Sequence, residues 1–122
     1  MPPPPMIAIV DDDACSRLAI ETLLRAIGHC ATGFSGGEAF LLRRKDFGCL
    51  ITDLHMPGMS GLDLQRRLNG LEDPMPVIFI SGFANKAAQR QAVLQGACAF
   101  LHKNDIAASL EPALAAALGG AL

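Results

Sequence analysis

Two apolar patterns alternate along the chain. Five short runs are hydrophobic throughout or nearly so: MIAIV (6–10), CATGF (30–34), CLIT (49–52), VIFI (77–80) and CAFLH (98–102). Between them, apolar residues recur at helical spacing. Leu18, Ile20, Leu23, Leu24 and Ile27 mark a first helix, closed by Gly28. Ser35-Gly36-Gly37 opens a short second helix through Phe40, Leu41 and Leu42, which runs out into Arg43, Arg44 and Lys45. Ser60 is placed to cap a third, with Leu62, Leu64, Leu68 and Leu71 as its apolar members. Residues 85–95 predict a polar fourth helix that stops at Gly96, and an Ala-rich fifth ends at Gly119-Gly120. Pro112 complicates that last helix. Proline is tolerated in a first turn and costs about 3 kcal/mol further in, so the helix is expected to start near Ser109 or to kink.

The order is strand then helix, five times over. Runs 1, 3 and 4 are continuously apolar, as in strands covered on both faces. Right-handed crossovers then give a parallel sheet with helices on both sides, a doubly wound α/β fold.

That topology gathers the polar residues that end the runs. Ligands of an open parallel sheet sit beyond the carboxyl ends of its strands. Here those ends carry Asp11 and Asp12, Asp53, Ser81 and Lys103. Packing has no need of that set. Two carboxylates about 4 Å apart repel by about 4 kcal/mol at an effective dielectric of 20. Oxygen ligands without histidine or cysteine favour a hard divalent cation, Mg²⁺ in a cell, with Mn²⁺ as an alternative. A carboxylate beside such an ion could attack phosphorus. Lys103 and the cation would offset charge on a transferring phosphoryl group, and the Ser81 hydroxyl could donate to one of its oxygens. Asp13 fits a cap of the first helix.

Composition narrows the classes. A length of 122 residues suits one domain, and 51% hydrophobic with 18% charged residues is a globular balance. A net charge of −2 gives no electrostatic footprint for nucleic acid. The proline-rich start, MPPPPM, has neither the basic nor the apolar region of a signal peptide, and no run reaches a membrane span, so a cytoplasmic chain is expected. Cys15, Cys30, Cys49 and Cys98 lack metal-finger spacing and read as free, mostly buried thiols.

The blocks IVDDDA, ITDLHMPGMSGLDL, VIFISG and GACAFLHK resemble those of the CheY-like receiver domain of two-component response regulators, with a FixJ-like flavour in the Asp-Leu-His-Met-Pro stretch. The resemblance spans residue 6 to about 118. It implies a flavodoxin-like five-stranded sheet of order 2-1-3-4-5, with residues 6–118 as the receiver. Residues 1–5 are then a disordered N-terminus and 119–122 a tail.

The resemblance also implies roles. Asp53 would accept the phosphoryl group. Asp11, Asp12, Asp53 and the His55 backbone carbonyl would hold Mg²⁺, with Asp12 favoured as direct ligand and Asp11 acting largely through water. Ser81, Lys103 and the backbone N–H groups of Leu54 and Gly82 would bind phosphoryl oxygens. Ser81 and Phe100 would form the switch pair, and His55 and Phe83 would modulate phosphoryl lifetime. Pro57, Gly58 and Gly61 would shape the loop around the metal. The implied partners are a sensor histidine kinase or phosphotransfer protein, and a second copy through the last two helices and fifth strand. No direct nucleic-acid or membrane contact is implied. Receivers with this block are joined to LuxR-type helix-turn-helix domains; the chain ends at Leu122 without one, which leaves a free-standing or an excised receiver open.

One departure stands out. Lys103 is followed by Asn104, where the family has a proline after a cis bond. A non-proline cis bond costs about 2.5–4 kcal/mol, so this peptide is expected to be trans. Two other classes compete. A haloacid-dehalogenase-like phosphatase would use Asp11-x-Asp13, but leaves the Asp53 block unexplained. A pseudo-receiver would use the fold only for docking, but has no need of the acidic pair, Asp53 and Lys103.

Overall fold

Each predicted run forms a strand: β1 (Met6–Val10), β2 (Cys30–Phe34), β3 (Cys49–Asp53), β4 (Val77–Ser81) and β5 (Ala99–His102). The computed structural model describes residues 6–71, 75–82 and 86–119. Helices α1 (Ala14–Ala26), α2 (Gly37–Leu41), α3 (Gly61–Asn69), α4 (Lys86–Leu94) and α5 (Ile106–Ala117) alternate with them. Single 3₁₀ turns at Arg44–Asp46 and Lys103–Asp105 follow α2 and β5. The sheet is wholly parallel, in the expected order β2-β1-β3-β4-β5. Residues 1–5, 120–122 and Phe83 lie outside the described residues, so the expected disorder of the N-terminus, most of the expected tail and the role of Phe83 fall there.

Successive strand residues point to opposite faces, and both faces are covered. Ile7, Ile9, Cys49, Ile51, Ile78 and Ile80 pack under α1 and α5, against Ile20, Leu24, Leu110 and Leu114. Ala8, Val10, Leu50, Val77 and Phe79 pack under the other three helices, against Phe40, Leu64, Leu68, Ala88 and Ala92. Each fully buried Ile or Leu contributes about 1.5–3 kcal/mol, so the central strands are held firmly from both sides. Their carboxyl ends share one edge because every strand runs the same way.

Three expectations are corrected. Leu18 is 60% exposed. The inward stripe of α1 runs through Ile20 and Leu24, and a residue two before Ile20 faces roughly the opposite side of the helix. Three of the four cysteines are exposed; only Cys49 is buried, and burial pushes its thiol up to about 12. Cys30 opens one edge strand and Cys98 precedes the other, where cover is thinnest. Finally, of the two alternatives for α5, a start near Ser109 is overturned: the helix starts at Ile106 and continues through Pro112. Starting there lets Ile106 pack beside Leu110 and Leu114 on the inner face. The carbonyl that Pro112 leaves without a helical donor belongs to Ala108, and both residues are exposed to water.

Candidate functional site

The polar ends of β1, β3, β4 and β5 converge as predicted. Register explains why: Asp53 lies opposite Ile80, and Ser81 opposite His102. Asp11 and Lys103 each follow their strand by one residue. Lys103 Nζ lies 3.1 Å from Asp53 Oδ2 and 3.3 Å from Asp11 Oδ2. Carboxylate oxygens of Asp11, Asp12 and Asp53 lie within 4.8 Å of one another. Asp11 and Asp53 are buried, whereas Asp12 is exposed at the mouth.

Local structure fixes each group. Every polar group of Asp11 is engaged. Its N–H donates to the Phe34 carbonyl at 3.1 Å, and its own carbonyl accepts from Arg17 Nη1 at 2.7 Å. Its Oδ1 accepts from the Asp13 N–H at 2.9 Å, and Oδ2 faces Lys103. Asp13 is the N-cap of α1 and accepts from the N–H groups of Cys15 and Ser16. Beyond β3, Gly58 takes a positive φ of 75°. Ser60 then starts α3 with a capping box shared with Asp63. Gly61 lies so close to β3 that a Cβ there would strike the Asp53 carbonyl oxygen and come 3.0 Å from Phe79. The loop after Asp53 is tight because α3 begins directly against the Asp53 backbone.

The backbone N–H groups that follow Asp53 have partners within the fold. The Leu54 N–H donates to the Ile80 carbonyl at 3.1 Å, because β3 and β4 stay paired one step past Asp53. The amide that reaches the Asp53 carboxylate is that of His55, at 3.3 Å from Oδ1. Gly82 sits beside Lys103, whose Cδ would be 3.9 Å from a Cβ at that position. Ser81 is buried at the end of β4. Phe100 lies opposite Phe79, and their rings stack with centroids 6.0 Å apart. Phe79 and Ser81 are two residues apart on one strand, so Ser81 and Phe100 share a face of the sheet.

The turn carrying Lys103 has its own solution to the absent proline. No peptide bond among the described residues is cis, so Lys103–Asn104 is trans as expected. Asn104 keeps an N–H, which donates to His102 Nδ1 at 3.1 Å.

Two of the three clustered carboxylates, Asp11 and Asp53, contact the Lys103 ammonium, and the electrostatics follow. Burial pushes the Asp53 carboxyl up; contact with Lys103 offsets part of this, while the Asp11 charge adds to it. For Lys103, burial opposes the charge, but contact with Asp53 and Asp11 outweighs it and holds the ammonium above its ordinary range. This oxygen-only donor set, rich in negative charge and open at Asp12, fits a hard divalent cation.

Residues 7–114 match the response regulator receiver domain family. The chain belongs to that family. Its receiver is 42% identical over 100 residues to the response regulator protein TodT of Pseudomonas putida F1, a match covering 80% of this chain and 44% of TodT. It is 35% identical over 121 residues to the transcriptional regulatory protein FixJ of Azorhizobium caulinodans, covering 98% of this chain and 57% of FixJ. The chain therefore spans about half the length of the curated relatives it matches. The crystal structure of FixJ-N matches the receiver with a TM-score of 0.89 at 31% identity, covering 97% and 96% of the two chains. The response regulator StyR gives a TM-score of 0.86 at 34% identity, covering 94% of this chain and 59% of that one. Membership sets the phosphatase reading aside. Among the described residues, no helix is long and apolar enough to cross a membrane.

Sequence reasoning missed Arg17, and with it the link between α1 and the Asp11 carbonyl. The available signal was position: Arg17 sits six residues after Asp11, at the start of α1, within reach of the strand end.

Proposed function

We propose that this receiver accepts a phosphoryl group on Asp53 from a phosphohistidine of a sensor kinase or phosphotransfer protein, in the cytoplasm. The convergence of Asp11, Asp12, Asp53 and Lys103 at one sheet edge is the observation that carries the reading. A docking module would not need it, and nothing favours the pseudo-receiver alternative.

Asp53 presents a carboxylate oxygen for in-line attack on phosphorus. The bond from phosphorus to the donor nitrogen breaks, and its electron pair stays with the imidazole. Asp11, Asp12, Asp53 and the His55 carbonyl would hold Mg²⁺, which supplies charge neutralisation for the carboxylates and the phosphoryl oxygens. Lys103 moves from neutralising Asp53 to pairing with a phosphoryl oxygen. The His55 N–H, which already reaches the Asp53 carboxylate, and the Gly82 N–H would donate to the others; Leu54 can join only by sharing its N–H with Ile80. Ser81 binds the phosphoryl group and Phe100 follows it inward, which biases α4, β5 and α5. That face is then the site of homodimer formation. His55, two residues beyond Asp53, tunes the lifetime of the phosphoryl group, and we assign Phe83 the same role from its place in the sequence. FixJ is a transcriptional regulatory protein, and we assign this receiver the same kind of output when joined to an effector domain.

The test is an amide NMR titration with beryllofluoride and Mg²⁺, a stand-in for the phosphoryl group. Shifts should centre on Asp53, Gly82 and Lys103 and extend into α4 and α5. Asp53→Asn should abolish them, and Ser81→Ala should keep the local shifts but lose those in α4 and α5. Wild-type shifts in Asp53→Asn would refute the acceptor assignment.

A further inference from the structure

We propose that Arg17, lying across the notch left by Gly33, is a positioning residue that fixes the Asp11–Asp12 peptide and so aims the acidic pocket at its cation. The inference rests on the metal-binding reading above.

Two observations meet at this side chain. The first is the 2.7 Å bond from Arg17 Nη1 to the Asp11 carbonyl. The peptide unit is planar, so holding this carbonyl also fixes the N–H and Cα of Asp12, from which the exposed carboxylate departs. Asp12 has no such support of its own: it lies exposed beyond the strand, between the saturated Asp11 and the cap at Asp13. The second is Gly33. It sits on edge strand β2 opposite Ile9, away from the carboxylates. A Cβ there would lie 2.8 Å from both Cγ and Cδ of Arg17 and would strike Glu21 Oε1. Glycine weakens a strand interior and marks close approach by another group. Here that group is the aliphatic stem of Arg17, crossing β2 to reach the end of β1.

The sign of the effect separates this role from simple electrostatics. Arg17 is a cation beside a cation site, so its charge alone opposes metal binding. Removing it would tighten binding if charge were all that mattered. Loss of positioning has the opposite sign, and outer-shell partners of metal ligands are typically worth about 10–100-fold in affinity.

The experiment measures Mn²⁺ affinity by electron paramagnetic resonance, with melting temperatures taken in parallel. The proteins are the wild-type chain, Arg17→Met, Arg17→Lys and Gly33→Ala. Arg17→Met should weaken binding about tenfold, the low end for such partners. Arg17→Lys keeps a donor and the charge and should retain most of the affinity. Gly33→Ala touches no ligand, yet should weaken Mn²⁺ by displacing Arg17, with at most a modest drop in melting temperature as Glu21 and Arg17 give way to the added methyl. Unchanged or tighter binding in Arg17→Met overturns the proposal. If Arg17→Met fails to fold, unchanged affinity in Gly33→Ala overturns it instead. A wild type that binds no Mn²⁺ overturns the metal reading and this inference together; a binding wild type with indifferent variants overturns this inference alone.

Discussion

Asp53 is held in a state of electrostatic tension. It is buried and close to Asp11, and Lys103 compensates only in part. Its carboxyl titrates above the ordinary range, so the folded chain holds that proton more tightly than the unfolded chain. Stability from this group is therefore full at pH values below its unfolded pKa and is lost as pH rises through the folded one. Lys103 acts elsewhere on the scale. Its raised pKa stabilises the fold at all pH values below its unfolded pKa and fails only in strong alkali. Without metal, Asp53→Asn should thus melt above wild type at neutral pH. The gap follows from the upward push on the Asp53 carboxyl and is read as a difference in melting temperature. It should close as pH falls toward about 4, where an ordinary aspartate protonates. Saturating Mg²⁺ should stabilise the wild type by mass action and shrink the gap from the other side. A scanning calorimetry series across pH checks this; an Asn variant that melts lower at every pH contradicts it.

Among the elements, α5 shows how tertiary packing outweighs a local rule. Proline belongs in a first turn, and that rule places the start near Ser109. The helix nevertheless begins at Ile106, because doing so aligns Ile106, Leu110 and Leu114 along the sheet. Leu110 and Leu114 are fully buried, and together their burial contributes about 3–6 kcal/mol, enough to offset an interior proline near 3 kcal/mol. The freed Ala108 carbonyl lies on an exposed residue, where water can serve it. Pro112→Ala should therefore raise stability by about 1–3 kcal/mol, seen as a higher urea midpoint. A lower midpoint would mean that Pro112 makes a stabilising contact. The short turn before α5 tells a similar story, since His102 receives the Asn104 N–H that a proline would not have.

At the scale of the whole molecule, one topological fact builds the site. Parallel strands end together, so residues at positions 11, 53, 81 and 103 meet although 92 positions separate the outermost pair. That much is legible in the sequence, because continuous apolar runs announce buried parallel strands and each run stops at a polar residue. The Arg17 bond to a backbone carbonyl is not, since it depends on side-chain reach across β2 rather than on periodicity. Nor is the commitment of the Leu54 amide to Ile80, which depends on how far β3 and β4 stay paired. Helix faces were legible where the spacing is clean, as at Ile20 and Leu24, and misleading at Leu18, which shares the helix but not the stripe.

The central claim is that Asp53 is the phosphoryl acceptor of this receiver. The most direct measurement is intact mass after incubation with acetyl phosphate and Mg²⁺, on the wild-type chain and on Asp53→Asn. One added phosphoryl group is expected on the wild type, lost after acid or base treatment as an acyl phosphate would be, and none on Asp53→Asn. A fully labelled Asn variant, or a wild type that takes no label while retaining its fold and metal binding, would contradict the account.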